Sequence, residues 1–257
     1  MSFCFNNFIR HIFRISSCLC ISLLLVISSA AACPLIDQRV DFNCDGQLRY
    51  AITGDSIVRG IGDRGNSGGY PARLNSRLEI TQVENLGTPG ISSLRLYRRF
   101  LRAIDRGKAL TRKTNELDLL IVQVGTNDFW LRRPLKFTYR NLKRLKLFIE
   151  THLEQRDGVS PFVALSTLPP TKRDFQQSFV DDVNRILLGK SDELNVMMRF
   201  HNLNPAIISD DTLHPDARGY NIMSRRAMRG IRGPITAEML KAQAQNQTEQ
   251  NQDDSEL

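Results

Sequence analysis

Residues 117–124 read LDLLIVQV and run directly into Gly125-Thr126-Asn127-Asp128. A strand with one wet face alternates apolar and polar side chains; one covered on both faces reads as a nearly unbroken apolar run, as in a parallel sheet flanked by helices. Residues 161–168 (PFVALSTL) repeat the pattern, and residues 48–53 (LRYAIT) form a shorter strand ending at Gly54. Weaker strand patterns lie at 78–83 and 195–200. Between them stand helix-length stretches at 92–104, 135–153, 175–188 and 217–231, where apolar residues recur at three- and four-residue spacing. This alternation predicts an α/β fold with a parallel sheet between helical layers. Right-handed crossovers then bring the strand C-termini to one edge, where ligand sites form.

The ends of the 257-residue chain differ from this middle. Arg10 and Arg14 precede an apolar run at 15–27, small residues follow to Ala32, and no acidic residue occurs before Asp37. That is the layout of a secretory signal over residues 1–32, cut before Cys33, so the chain is expected to be exported to a periplasm or beyond. A retained membrane anchor and a lipoprotein are the alternatives. Within residues 33–47, Cys33 and Cys44 would either pair in an oxidising compartment or leave Cys33 as a lipidated N-terminus; each fate excludes the other. Residues 48–233 form the expected globular domain. Residues 234–257 are rich in Gln, Asn, Asp and Glu, a composition that buries too little apolar surface to order itself.

The formal charge is +8, and about +6 without Arg10 and Arg14. Clusters such as Arg98-Arg99, Arg132-Arg133, Lys143-Arg144 and Arg225-Arg226 read first as solvated helix faces and second as a means of associating with anionic surfaces or substrates. No aromatic-interleaved basic motif points to nucleic acid.

Chemistry is sought at the strand ends. Gly54-Asp55-Ser56 follows the first strand, and a hydroxyl there needs a base to become a nucleophile. Of the four histidines, His11 lies in the signal, His152 near the end of a polar helix, and His201 has no nearby carboxylate in sequence. His214 has Asp211 three residues before it, so one loop can present the carboxylate to Nδ1 and leave Nε2 for the hydroxyl. Acyl transfer also needs donors for an oxyanion. Asn127, after the most apolar strand, and a glycine of the Asn85-to-Gly90 turn are the candidates.

These four segments resemble, in order and over roughly residues 48–231, the four blocks of the GDSL/SGNH hydrolase family; Ile57 stands where that family usually has Leu. The resemblance implies a flavodoxin-like three-layer α/β/α sandwich with a mainly parallel five-stranded sheet. It further implies Ser56 as nucleophile and first oxyanion donor, Gly87 N–H and the Asn127 side chain as further donors, and Asp211 and His214 as the rest of a triad. The expected substrate is a small-molecule, glycan or lipid ester, with no cofactor. Gly68-Gly69-Tyr70-Pro71 and Phe129-Trp130 are expected to help shape the pocket.

Two other patterns compete. Gly60-x-Gly62-x-x-Gly65 with Glu84 resembles a dinucleotide fingerprint, but its first glycine stands six residues beyond the strand rather than at its end. Asp41-x-Asn43-x-Asp45-Gly46 begins like a calcium loop, yet Ile52 occupies the position that requires a bidentate Glu; no zinc spacing occurs. The non-enzyme alternative is an exported binding module on the same fold, against which stands the filling of every chemical position.

Overall fold

Five strands alternate with five long helices in the computed structural model, which describes residues 35–36, 39–41, 46–65, 68–78, 81–105, 117–152 and 161–232. All of these lie in one unit, Pro34–Leu257. The chain runs β1 (Leu48–Gly54), α1 (Gly69–Arg77), β2 (Thr81–Gly87), α2 (Ser93–Asp105), β3 (Leu119–Gln123), α3 (Leu135–His152), β4 (Phe162–Ser166), α4 (Asp174–Gly189), β5 (Val196–Met198) and α5 (Ala217–Arg232). The sheet order is β2-β1-β3-β4-β5 and every neighbouring pair is parallel. That is the flavodoxin-like order, with the expected three layers. Leu35–Ile36 and Arg39–Val40 form a separate antiparallel pair.

The two-residue period of a strand sorts the core into two halves. Tyr50, Ile52, Leu119 and Ile121 face α1 and α5, where Tyr70, Leu74, Tyr220 and Met223 meet them. Ala51, Leu120, Val122 and Val163 face α2, α3 and α4, against Leu96, Phe100, Leu145 and Val183. Each of those strand residues is at most 1 % exposed. Burying side chains of this size contributes about 1.5–3 kcal/mol each, so the central strands anchor everything at the sheet edge.

Two elements depart from expectation. The second strand is Thr81–Gly87 rather than 78–83, and so takes in Asn85, Leu86 and Gly87. It pairs only with β1 and is half-buried; an edge strand tolerates the polar Glu84 and Asn85 that hid it. Helix α1 is the other: its sequence GYPARLNSR has two early helix-disfavouring residues and only Tyr70 and Leu74 as a buried i,i+4 pair. The export segment, the Cys33–Cys44 pairing and the polar tail lie outside the described residues.

Candidate active site

β1 is made to end where it does by its last residue. A Cβ on Gly54 would stand 1.9 Å from Gln123 O on β3, so only glycine lets the two strands close at their carboxyl ends. A one-turn helix, Ser56–Arg59, starts immediately, with Asp55 as its cap accepting from Ile57 N–H at 3.0 Å. Ser56 is therefore the first helical residue, with 9 % of its surface exposed at the sheet edge.

Burial pushes the Asp55 carboxyl up to about 7, against the hydrogen bond from Ile57 and with the charge of Asp128 adding to the rise. Its Oδ2 and the Tyr70 hydroxyl are both buried, with no hydrogen-bond partner among the described residues. Tyr70 packs edge-on against Phe200, centroids 5.3 Å apart. It is a core residue and not the pocket wall expected from its position after the nucleophile.

His214 comes from a tight loop between β5 and α5. Ile208 and Pro215 bridge antiparallel, Ser209 N–H donates to His214 O at 2.8 Å, and Thr212 turns the chain at φ 67°, a conformation non-glycine residues hold only when their surroundings demand it. Those surroundings are residues 171–173: Lys172 N–H and Thr171 Oγ1 both donate to Thr212 O at 2.8 Å, Arg173 Nε donates to Thr212 Oγ1 at 3.1 Å, and Arg173 Nη2 donates to Asp211 O at 3.2 Å. No sequence pattern marked these bracing residues.

Asp211 Oδ2 lies 2.6 Å from His214 Nδ1, and His214 Nε2 lies 2.8 Å from Ser56 Oγ. A proton on Nδ1, as the carboxylate requires, leaves Nε2 to accept from the hydroxyl. Asp211 Oδ1 also accepts from the backbone N–H groups of Leu213 and His214. Partial burial works to raise Asp211, but these donors together outweigh it and hold the carboxyl well below the usual range. The neighbouring Asp210 turns outward, its side chain 91 % exposed and paired with Arg64.

After β3, Asn127 is the second residue of the 3-10 turn Thr126–Leu131. Its Nδ2 donates to Ile91 O at 3.1 Å, which leaves the second amide hydrogen uncommitted. Thr88 N–H donates to Gly54 O at 2.8 Å, so the loop 88–91 lies over the end of β1. Gly87 does not fill the place expected of it. Its N–H is donated to Asn85 Oδ1 at 2.9 Å, and a Cβ there would meet Arg59 N at 2.3 Å: it is a packing glycine inside β2. Gly90, with φ 72° and open space around it, is the exposed glycine of that loop.

Two of the competing glycines, Gly60 and Gly62, are also explained by packing. A Cβ on Gly60 would meet Gly69 N at 2.4 Å, and one on Gly62 would meet Pro215 O at 2.8 Å. Both press against protein backbone, and the helix at the strand end begins before Gly60, so among the described residues these two glycines form no phosphate cradle. Asp41 Oδ2 accepts from Gly46 N–H at 2.7 Å ahead of β1; Asn43 and Asp45 lie outside the described residues. His152 stacks on Phe148 and His201 contacts Thr167, and among the described residues neither is paired with a carboxylate as His214 is. Phe129, Trp130 and Phe175 form an aromatic group beside Asn127, with Trp130 58 % and Phe175 61 % exposed.

Comparison with known proteins agrees with this layout. The sequence model of the GDSL-like lipase/acylhydrolase family matches residues 52–222. Among solved structures, a member of the lipolytic G-D-S-L family from Veillonella parvula is similar at 20 % identity and TM-score 0.57, over 71 % of this chain and 97 % of that one. The aryl esterase of M. smegmatis is similar at 16 % identity and TM-score 0.58, over 72 % and 98 %. The psychrotrophic esterase EstA from Pseudoalteromonas sp. is similar at 17 % identity and TM-score 0.53, over 72 % and 97 %. At such identities the likeness is one of fold. No curated protein matches the chain.

Proposed function

Because the chain belongs to the GDSL-like lipase/acylhydrolase family, we propose that it hydrolyses carboxylic esters through an acyl-enzyme on Ser56. The observation that carries this reading is the unbroken relay from Asp211 Oδ2 through the His214 ring to Ser56 Oγ, with links of 2.6 and 2.8 Å. Ser56 Oγ attacks the ester carbonyl while His214 Nε2 takes its proton. Asp211 holds the ring in the tautomer that makes this possible and stabilises the imidazolium that results. The proton passes to the departing alcohol, and water, deprotonated in turn by His214, releases the acid and restores the serine.

The oxyanion meets the Ser56 N–H at the start of its helix and the free hydrogen of Asn127 Nδ2. Gly90 N–H replaces Gly87 as the third donor, since it stands in the loop over the end of β1 and makes no hydrogen bond among the described residues. A crystal structure of the phosphonylated serine checks this: the phosphoryl oxygen is expected within about 3 Å of Gly90 N.

The reading as a whole is tested with a chromogenic short-acyl ester on wild type and Ser56→Ala. Hydrolysis is expected to vanish with the hydroxyl; equal rates in the two would overturn the proposal. We take the chain to be exported, with residues 1–32 as its signal and the domain at 48–233 acting beyond the inner membrane. N-terminal sequencing of the mature protein should begin at Cys33.

A further inference from the structure

Helix α2 carries Arg95, Arg98, Arg99 and Arg102. Their i, i+3, i+4, i+7 spacing puts them on one face, along roughly 10 Å of helix axis. The opposite face is the apolar one, with Leu96 and Phe100 buried. The four arginines and the loop 88–91 line an open cleft of about 390 Å³. That loop is the one laid over the end of β1 and tied to Asn127 through Ile91.

The helix is locked in register with the catalytic edge. Ser93 N–H donates to Asp128 Oδ1 at 2.9 Å, and Asn141 Nδ2 donates to Ser93 Oγ at 3.0 Å. Arg99 donates to Thr88 Oγ1 at 2.5 Å, and Arg102 Nε to Arg98 O at 3.2 Å. Among the described residues no carboxylate pairs with any of the four. Other basic residues of the chain do find acidic partners: Arg73 with Asp63, Lys146 with Glu150, Arg185 with Asp182. Like charges three and four residues apart repel one another. Here the repulsion is left uncompensated along a cleft shared with the loop 88–91, where guanidinium forks suit phosphate and carboxylate oxygens.

We propose that this arginine row binds an anionic group, phosphate or carboxylate, carried by the ester substrate outside its scissile bond, so that the enzyme is selective for acylated anionic compounds over neutral esters. This deepens the esterase reading and rests on it. Arg95, Arg98 and Arg102 supply the charge; Arg99 also holds the loop through Thr88.

The test compares substrates matched except for charge: acetylated glycerol 3-phosphate against acetylated glycerol, and acetylated glucuronic acid against acetylated glucose. Wild type should favour the anionic member by about tenfold or more in kcat/KM, the worth of one charge-assisted contact. The preference should lie mainly in KM and shrink as salt is raised. In R95Q/R98Q/R102Q the ratio should fall to near one while neutral esters are hydrolysed as before. A wild-type ratio near one, or a ratio that survives the triple substitution, overturns the proposal. Calorimetry of glycerol 3-phosphate binding to Ser56→Ala separates the two claims. Salt-sensitive binding that the triple substitution abolishes supports the anion site even if no ester is cleaved, in which case the esterase reading fails alone. Hydrolysis without discrimination fails the anion site alone.

Discussion

Gly62 is pressed against the back of His214: a Cβ built on it would stand 2.9 Å from His214 Cβ and 2.8 Å from Pro215 O, at a backbone φ of 89°. The segment that follows the nucleophile thus supports the base, and Tyr220 secures it from α5 by donating its hydroxyl to Ile61 O at 2.6 Å. Gly62→Ala is expected to displace the imidazole and lower kcat by about 10- to 100-fold, while the left-handed backbone adds about 1–2 kcal/mol of strain. Kinetics and thermal unfolding of the variant check this; an unchanged kcat in a folded variant would show that the contact does not position His214.

Asp211 and Asp210 are adjacent and chemically identical, but only one faces the ring. Asp211→Asn is expected to lower kcat/KM by about 10³- to 10⁴-fold through loss of the correct tautomer. Asp210→Asn removes only an exposed pair with Arg64, of a kind worth about 0–1 kcal/mol, and should leave kcat/KM within a few-fold. Steady-state kinetics on the two variants side by side decides the matter.

Asn127→Ala should lower kcat by about 10²- to 10³-fold, as loss of an oxyanion donor does, with KM little altered. A change confined to KM would assign Asn127 to substrate binding instead.

The buried Asp55 carboxyl makes a stability prediction. Its value in the folded chain, about 7, lies above the ordinary 3.8, so between those limits the folded protein keeps a proton that the unfolded chain releases. Stability from this group therefore falls as the pH rises from about 4 to about 7 and is level above that. Asp55→Asn mimics the protonated form and retains an acceptor for Ile57. Its melting temperature relative to wild type should accordingly rise between pH 4 and pH 8. Asp211 acts in the opposite sense: held below its ordinary range, it adds stability above the unfolded value that is lost on acidification. A difference between Asp55→Asn and wild type that is constant with pH would show that Asp55 is ionised in the fold.

Much of the sheet was legible. β3 and β4 are covered on both faces, so their apolar runs survive without a partner being known. β2 was misplaced because an edge strand needs one buried face only, and its polar residues read as a turn. α1 was invisible because its glycine and proline disfavour the helix that contacts with α5 sustain. Within the site, the Asp211–His214 pairing was legible because three residues separate the partners. The bracing of Thr212 by residues 171–173 was not, since no local spacing encodes a contact about forty residues away.

By itself, the amino-acid sequence determined the layered α/β class, the strand-end positions of Ser56 and Asn127, and the local pairing of Asp211 with His214, because burial and short-range spacing leave a periodic trace. Tertiary structure alone decided that His214 reaches Ser56 across 158 residues, that Asp210 turns away, that Gly87 spends its N–H inside β2, and that four arginines share a cleft with the loop 88–91. Those outcomes depend on the direction in which each donor and charge points once the chain has closed on itself, and direction in space has no counterpart in residue order.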